Sequence, residues 1–143
     1  MMNEFKHILV GVDDSEDAIL AFKYAIHLAN QNNSELIIVS VLETGDMNVY
    51  EALNKDFVHG KRDDLEKHVQ TYKQQAIDAG VKKATVLVAE GEPGETIVED
   101  VIPHVKPDLL VIGSKAKKGL SRHLGSQAAY MAKYASIIVT VVR

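Results

Sequence analysis

Residues 113–126 bring glycines, hydroxyl groups and basic side chains together in one short stretch, GSKAKKGLSRHLGS. Gly125 and Ser126 open the last predicted helix, and the backbone N–H groups of a helix N-terminus attract anions. A glycine at such a point lets phosphate oxygens approach the chain closely. Ser114 and Ser126 offer hydroxyl donors, and positive charge is available from Lys115, Lys117, Lys118 and Arg122. This combination predicts a phosphate-binding site.

The phosphate-binding glycine motifs of nucleotide enzymes differ from this stretch. It contains neither the Gly-Lys-Ser/Thr spacing of a P-loop nor a dinucleotide-binding fingerprint. Ordinary turn and helix-cap chemistry is an alternative explanation of Gly113 and Gly125.

Charge is strongly segregated along the chain. Residues 109–143 contain six basic residues and no acidic one, so they carry +6 of a net charge of −4 and leave −10 for residues 1–108. The negative total argues against a general nucleic-acid binder, whereas the basic segment favours an anionic ligand. A basic loop that faces an acidic partner surface is the alternative.

Five β-rich runs alternate with segments of helical period. The predicted strands are 6–12, 35–42, 84–89, 108–113 and 136–142. The predicted helices are 15–32, 64–79, 95–105 and 126–134, the first with Asp14 or Ser15 as N-cap. Residues 43–62 are interpreted as a loop with a broken helical turn around 50–57. The order predicts a doubly wound α/β fold, in which helices cover both faces of a mostly parallel sheet.

In a doubly wound sheet, ligands bind outside the carboxyl ends of the strands, where the strand order reverses. Asp13 and Asp14 follow the first predicted strand, and Ser114 follows the fourth. The two aspartates are candidate ligand contacts, or they simply begin the turn and complement the dipole of the first helix.

Several classes of function are excluded or disfavoured by composition. Cys is absent, which removes thiolate nucleophiles and Cys-ligated metal centres. None of the six histidines shows metal-ligand spacing, and only His123 lies in the basic stretch. No apolar run approaches the roughly 18 residues of a membrane span, and the N-terminus lacks a signal-peptide pattern. We therefore expect one domain over residues 1–143 of a cytoplasmic protein, with neither a nucleic acid nor a membrane as partner.

Five ordered blocks of the sequence resemble the universal stress protein family. They are HILVGVDDSE (7–16), SELIIVSV (34–41), EGEPGETI (90–97), PDLLVIGS (107–114) and GSQAAYMAKYASIIVTVV (125–142). The resemblance covers essentially the whole chain. It implies a five-stranded fold of the adenine-nucleotide α-hydrolase-like type, stress-linked expression and homodimers that often pair through the last strand. The uncharged run 137–142 itself favours such pairing, because a bare edge strand needs a cover.

The family contains members that bind ATP and members that do not. For a binding member, the resemblance implies that Asp13 contacts the ribose or a phosphate-bound Mg²⁺, and that the region of Val12 and Val41 holds the adenine. The implied phosphate contacts follow the fourth strand or open the last helix: Gly113, Ser114, Lys115, Gly125, Ser126 and Gln127.

The family's nucleotide-binding motif, Gly-x2-Gly-x9-Gly-Ser/Thr, is altered in this chain. Ala116 replaces the second glycine, and the spacing from Gly113 to Gly125 is one residue shorter. Asp14 stands where the family commonly has glycine. The resemblance favours a non-enzymatic binding and signalling module for ATP (or AMP or ADP) with Mg²⁺. The alternative is a member that has lost nucleotide binding and acts through contacts with an unknown protein partner.

Two other classes fit the sequence less well. A response-regulator receiver needs a phosphoacceptor Asp at the end of a buried central strand, but the third predicted strand ends in Val88-Ala89-Glu90-Gly91. A phosphatase or kinase needs a base beside its nucleophile, and His123 is the only base near Ser114 or Ser126. We therefore expect no dedicated enzyme and at most slow, incidental ATP hydrolysis.

Overall fold

A computed structural model of the chain describes residues 5–43, 47–114 and 124–143. Its strands are β1 (His7–Gly11), β2 (Glu35–Leu42), β3 (Lys83–Glu90), β4 (Leu109–Gly113) and β5 (Ile138–Val142). Its helices are α1 (Glu16–Asn32), α2 (Val49–Leu53), α3 (Lys55–Asp78), α4 (Pro93–Thr96), α5 (Ile102–Val105) and α6 (Ser126–Tyr134). A π-helical turn (Ile97–Val101) joins α4 to α5.

The five strands form one sheet in the order β3-β2-β1-β4-β5. Every strand pair in it is parallel, so all five carboxyl ends lie at the same edge. The chain builds outward from β1 to β3 and then returns to add β4 on the other side of β1. The strand order therefore reverses between β1 and β4, and the predicted doubly wound fold is confirmed.

Two apolar layers cover the sheet, one on each face. Ile8 and Val10 of β1 point to the face covered by α1 and α3, whereas Leu9 points to the opposite face. That opposite face is covered by α6 and by the segment from α4 to α5. The same alternation in β4 explains why residues 109–112 are all apolar, since each side chain meets one of the two helix layers.

Helix α1 has clear start and stop signals. The Ser15 hydroxyl oxygen accepts a hydrogen bond from the Ala18 N–H at 3.2 Å, so Ser15, and not Asp14, is the N-cap. The helix ends at Asn33, which takes a left-handed conformation with φ of 56°. Its buried stripe consists of Ala18, Ala21, Phe22, Ala25 and Ala29.

The prediction of a loop over residues 43–62 is wrong for most of its described part, but the broken helical turn expected around 50–57 matches the break at Asn54 between α2 and α3. Asn48 opens α2 with a capping box: its side chain accepts from the Glu51 N–H at 2.8 Å, and the Glu51 carboxylate accepts from the Asn48 N–H at 3.3 Å. None of the α2 residues is buried, and its large apolar side chains, Val49, Tyr50 and Leu53, are exposed and pack against no core. The capping box therefore marks the start of a helix that no burial of apolar side chains supports.

Helix α3 begins at Lys55 and not at residue 64 as predicted. Its N-cap is Asn54, whose side chain accepts from the Phe57 N–H at 3.1 Å. The predicted start was too late because the helix buries side chains only in its second half, at Val69, Tyr72 and Ala76.

The polar first half of α3 is attached to the edge strand β3 through Arg62. Its guanidinium donates to the Val88 carbonyl at 2.9 Å and forms ion pairs with Glu66 at 3.1 Å and Glu90 at 3.0 Å. These contacts explain how a helix with few apolar residues there still docks on the sheet. In the described part of the chain, no helix has both the length and the apolar character needed to cross a membrane.

The predicted helix 95–105 is longer and less regular than expected. It starts at Pro93, whose fixed φ suits the first helical position. The π-helical turn immediately precedes α5, in which Pro103 has no N–H to continue an α-helical ladder. Ile97 at the start of this turn is buried in the core and also borders the cavity described next.

Candidate functional site

A cavity of about 730 Å³ opens at the carboxyl ends of β1, β2 and β4, where the strand order reverses. Residues from these strand ends line it, together with the first turns of α1 and α6 and with Pro93 and Ile97. Its size lies within the range of small-molecule sites. The predicted position of a ligand site and the cavity therefore coincide.

The turn between β1 and α1 forms one side of the cavity and is held by its own side chains. The Asp13 carboxylate accepts from the Ser15 N–H at 3.0 Å and from the Ser15 hydroxyl at 2.6 Å. The same hydroxyl oxygen caps α1 through the Ala18 N–H. Asp13 and Ser15 both line the cavity, so this turn presents one carboxylate in a fixed position.

Asp14 lies between these two residues, but its side chain reaches α3 and does not line the cavity. Its carboxylate accepts hydrogen bonds from the Tyr72 hydroxyl and from Nε2 of His68, the latter at 2.8 Å. These bonds, that of Tyr72 foremost, hold the pKa of Asp14 below its ordinary value. Burial, followed by the bond to Asp14, raises the pKa of Tyr72, so the phenol remains a proton donor.

The end of β4 packs tightly against the start of α1. A Cβ on Gly113 would lie 2.6 Å from the carbonyl carbon of Asp17 and 2.8 Å from the nitrogen of Ala18. The Ser114 side chain is buried, and its hydroxyl donates to the Asp17 carboxylate at 2.8 Å. The structure therefore does not bring the Ser114 hydroxyl to the cavity, because the first turn of α1 already binds it.

The first turn of α6 forms the opposite side of the cavity. Its N-cap is Gly125, which makes no side-chain cap bond, and its first turn contains no acidic residue. The Gly125 N–H donates to the Ser114 carbonyl at 3.0 Å, which ties the start of α6 to the end of β4. In an α-helix the first N–H groups have no partner within the helix and carry partial positive charge.

Gln127 fixes α6 to the segment after β3. Its Oε1 accepts from the Gly94 N–H at 2.7 Å, and its Nε2 donates to Glu92 at 3.3 Å. A Cβ on Gly94 would lie 2.8 Å from this Oε1. Gln127 lines the cavity, but its amide is engaged in positioning the helix.

An apolar wall lies between these two sides. Val12 and Val41, the predicted contacts of the base, both belong to it. Val12 is buried, and its N–H donates to the Val39 carbonyl at 2.9 Å, which continues the sheet beyond β1. Ile97 and Met131 extend the wall on the α6 side.

Seven of the nine predicted site residues line the cavity: Val12, Asp13, Val41, Gly113, Gly125, Ser126 and Gln127. Ser114 does not, and Lys115 lies outside the described residues, as do Ala116, His123 and the other basic residues of the stretch. The sequence reasoning missed Glu43, which follows β2 as Asp13 follows β1 and also lines the cavity. The signal that could have identified Glu43 was its position directly after a buried strand.

Within the described ranges, no group of three or more His, Cys, Asp or Glu side chains is arranged to hold a metal ion. Mg²⁺ in nucleotide sites is usually held by one or two carboxylates together with phosphate oxygens and water. Asp13 fits the protein's share of such a set, because its carboxylate borders the cavity.

Comparisons with known proteins agree with this architecture. Residues 4–143 match the model of the Universal stress protein family. A universal stress protein of Staphylococcus epidermidis is 30% identical over 143 residues, which cover 99% of this chain and 86% of the relative. The structure of the universal stress protein UspA from Lactobacillus plantarum superposes with a TM-score of 0.84 at 22% identity, covering 98% of this chain and 99% of that one.

Two further solved structures contain a ligand. A universal stress protein in complex with cAMP has a TM-score of 0.74 at 24% identity, covering 98% of each chain. One from Archaeoglobus fulgidus in complex with dAMP has a TM-score of 0.70 at 18% identity, covering 98% of this chain and 99% of that one. At these identities the structural likeness establishes the fold, while the family match spans nearly the whole sequence. The chain belongs to the universal stress protein family.

Proposed function

We propose that this chain is a stress-response module that binds an adenine nucleotide, with ATP favoured over AMP and ADP, in the cavity at the carboxyl edge of the sheet. The observation that carries the proposal is the pairing, across one cavity, of an apolar wall with a helix N-terminus that has no side-chain cap among the described residues. A nucleotide presents the matching pair of surfaces, an apolar base and an anionic phosphate group.

The phosphates are proposed to lie at the first turn of α6. Gly125 has no side chain to occupy the N-terminal N–H groups, and Ser126 adds a hydroxyl donor. Anions are favoured there by the N–H groups and by the helix dipole. Lys115 and the other basic residues of the same stretch would add positive charge.

The base and the ribose are proposed to occupy the rest of the cavity. Val12 and Val41 offer an apolar surface for the adenine. The carboxylates of Asp13 and Glu43 follow neighbouring strands, β1 and β2, and carboxylates at such strand ends accept hydrogen bonds from ribose hydroxyls. Asp13 would in addition contact a phosphate-bound Mg²⁺. Two solved family members with cAMP and dAMP support adenine as the base.

The second candidate function is a family member that has lost nucleotide binding and works through protein contacts. Two observations favour it. The Ser114 hydroxyl, expected at the phosphates, is bound to Asp17 instead, and Gly113, although it lines the cavity, also packs tightly against α1. Ala116 and the shortened spacing alter the family's motif in the same region.

The proposal includes a cytoplasmic homodimer that pairs through β5. This strand lies at an edge of the sheet, and the Ile138 side chain on it is 60% exposed. A second copy would cover it. Sedimentation tests this: Ile138→Lys should be monomeric, whereas Ile19→Lys on α1 should leave the assembly unchanged.

Isothermal titration of the nucleotide-stripped protein with ATP, AMP and GTP, with and without Mg²⁺, tests the binding function. Ser126→Ala should weaken ATP binding by about 1–3 kcal/mol, the usual loss of a hydrogen bond to a charged group. The matched control is Ser136→Ala, an exposed serine beyond the other end of α6. No heat at millimolar ATP would overturn the proposal in favour of the second candidate. Equal binding of GTP would overturn the choice of adenine.

A further inference from the structure

Asp14 has a backbone conformation that its place in the chain does not explain. Among the described residues, the non-glycine positions with positive φ are Asp14 (66°), Asn33 (56°) and Lys106 (51°). Asn33 and Lys106 are helix C-caps, where the left-handed conformation is common. Asp14 instead precedes the N-cap of α1, where no helix end favours this conformation, and contacts with another element can support it.

That support comes from α3. His68 and Tyr72 lie one helical turn apart and both bond the same carboxylate oxygen of Asp14. Their rings meet edge to face at 5.4 Å, and the Tyr72 ring packs in the same way on Phe22 of α1 at 5.0 Å. We call Asp14, His68 and Tyr72 the Asp14 cluster. It joins the middle of α3 to the turn between β1 and α1.

The Asp14 cluster also supplies hydrogen-bond donors to one of two adjacent carboxylates in that turn. Asp13 and Asp14 are consecutive carboxylates, and the charge of Asp13 reaches Tyr72 as well. An ionised carboxylate only accepts hydrogen bonds, so Nε2 of His68 and the Tyr72 hydroxyl must both donate to Asp14. The two donors hold the Asp14 carboxylate on the α3 side, while Asp13 and Ser15 line the cavity.

From this arrangement we infer that His68 and Tyr72 are positioning residues for the ligand. Acting through Asp14, they hold the turn of residues 13–15 in the conformation that presents Asp13 to the nucleotide. The inference rests on the proposed nucleotide binding and extends it to a helix that does not itself line the cavity. Because coupling between sites is reciprocal, an occupied cavity would in turn stabilise the contact of α3 with the turn.

Titration of ATP into variants of the Asp14 cluster tests the inference. His68→Ala and Tyr72→Phe should each weaken binding about fivefold or more. Tyr72→Phe retains the ring that packs on Phe22, so it removes only the hydroxyl. His68→Gln keeps an N–H donor and should restore affinity to within about twofold of the wild type. His59→Ala is the matched control, since His59 lies on the same helix and pairs with Asp63 at 3.5 Å.

The Asp14→Gly background separates positioning from general destabilisation. Glycine adopts a positive φ readily but has no carboxylate. If His68 acts through Asp14, His68→Ala should change affinity less than about twofold in this background. An undiminished effect there, or His68→Gln binding as weakly as His68→Ala, would overturn the inference.

Hydrogen exchange of the Ser15 amide in the nucleotide-free protein distinguishes this inference from the proposed function. This N–H donates to Asp13 inside the turn. Its exchange should accelerate in His68→Ala and return to the wild-type rate in His68→Gln. If the wild type binds no ATP, the proposed function fails while this pattern still supports the holding of the turn. Unchanged exchange of the Ser15 amide in His68→Ala would overturn the inference.

Discussion

Helices α1 and α6 both begin at the cavity, but their first turns are completed in different ways. At α1, the Ser15 hydroxyl caps the helix, and Glu16 and Asp17 place two carboxylates in the first turn. At α6, Gly125 supplies no capping side chain and no acidic residue follows it. Among the described residues, the protein thus caps one helix start with a side chain of its own and provides no side-chain cap for the other.

This difference would let the proposed nucleotide site distinguish the two ends of its ligand. Carboxylates near a helix N-terminus stabilise the helix and also repel a second anion. The α1 side therefore suits hydroxyl groups and a cation, whereas the α6 side suits phosphate. The basic character of residues 109–143, which contain α6, strengthens the contrast.

The largest expected effect concerns the start of α1, against which the end of β4 packs. Gly113→Ala should lower the free energy of unfolding by about 1–3 kcal/mol, the usual cost of overpacking. The added Cβ would meet the backbone of Asp17 and Ala18, which cannot move independently of α1. Urea unfolding measures the change.

Gly60→Ala is the control for that experiment, with the opposite sign. A Cβ at Gly60 meets nothing within 4 Å, and the residue lies inside α3. Alanine should therefore stabilise the protein by about 0.5–1 kcal/mol. If Gly113→Ala unfolds at the wild-type urea concentration, the close packing of β4 on α1 is contradicted.

The second prediction adds a capping carboxylate to the start of α6. Gly125→Asp should weaken ATP binding by about tenfold or more, because like charges placed together across an interface are strongly unfavourable. The same carboxylate should stabilise the uncapped helix by about 0.3–1 kcal/mol. Titration calorimetry and thermal unfolding measure the two effects. Gly125→Asn, which caps without charge, should lose less affinity, and equal losses would argue against an anion at this helix start.

The smallest effect concerns a carboxylate far from the cavity. Asp108, at the amino ends of the strands, accepts from the backbone N–H groups of His7 at 2.9 Å and Lys6 at 2.8 Å. These bonds hold its pKa below the ordinary value. Its contribution to stability is therefore complete above a pH of about 3.9 and is lost as the pH falls through the lower pKa of the folded state.

The variant Asp108→Asn tests the direction of this pH dependence. The variant should be less stable than the wild type near neutral pH, by less than about 1 kcal/mol because the group is partly exposed. The difference should shrink as acid protonates the wild-type carboxylate, and ATP affinity should not change. A difference that grows with acid would contradict the assignment.

The sheet and the location of the cavity were predictable because local sequence encodes them. Buried parallel strands are apolar on both faces, so residues 109–112 identify β4 directly. The carboxyl ends of parallel strands share one edge, which places Asp13 and Gly113 together without knowledge of any contact. The cap of α1 by Ser15 is equally local.

The remaining features depend on partners far away in the sequence. The left-handed Asp14 is supported by His68 and Tyr72, and nothing near residue 14 indicates them. The first half of α3 docks through Arg62 on Val88 and Glu90 and lacks an apolar period. Such contacts form only once α3 lies against the sheet, so periodicity could not reveal them.

The most direct test of the contrast between α1 and α6 is to follow the backbone amides of both helix starts by NMR during titration with ATP. The account predicts the largest shift changes at the amides of Ser126, Gln127 and Ala128, where the phosphates are proposed to bind. The amides of Asp17 and Ala18, in the capped first turn of α1, should change little. Larger changes at α1 than at α6, or no change at α6 at saturating ATP, would contradict the account.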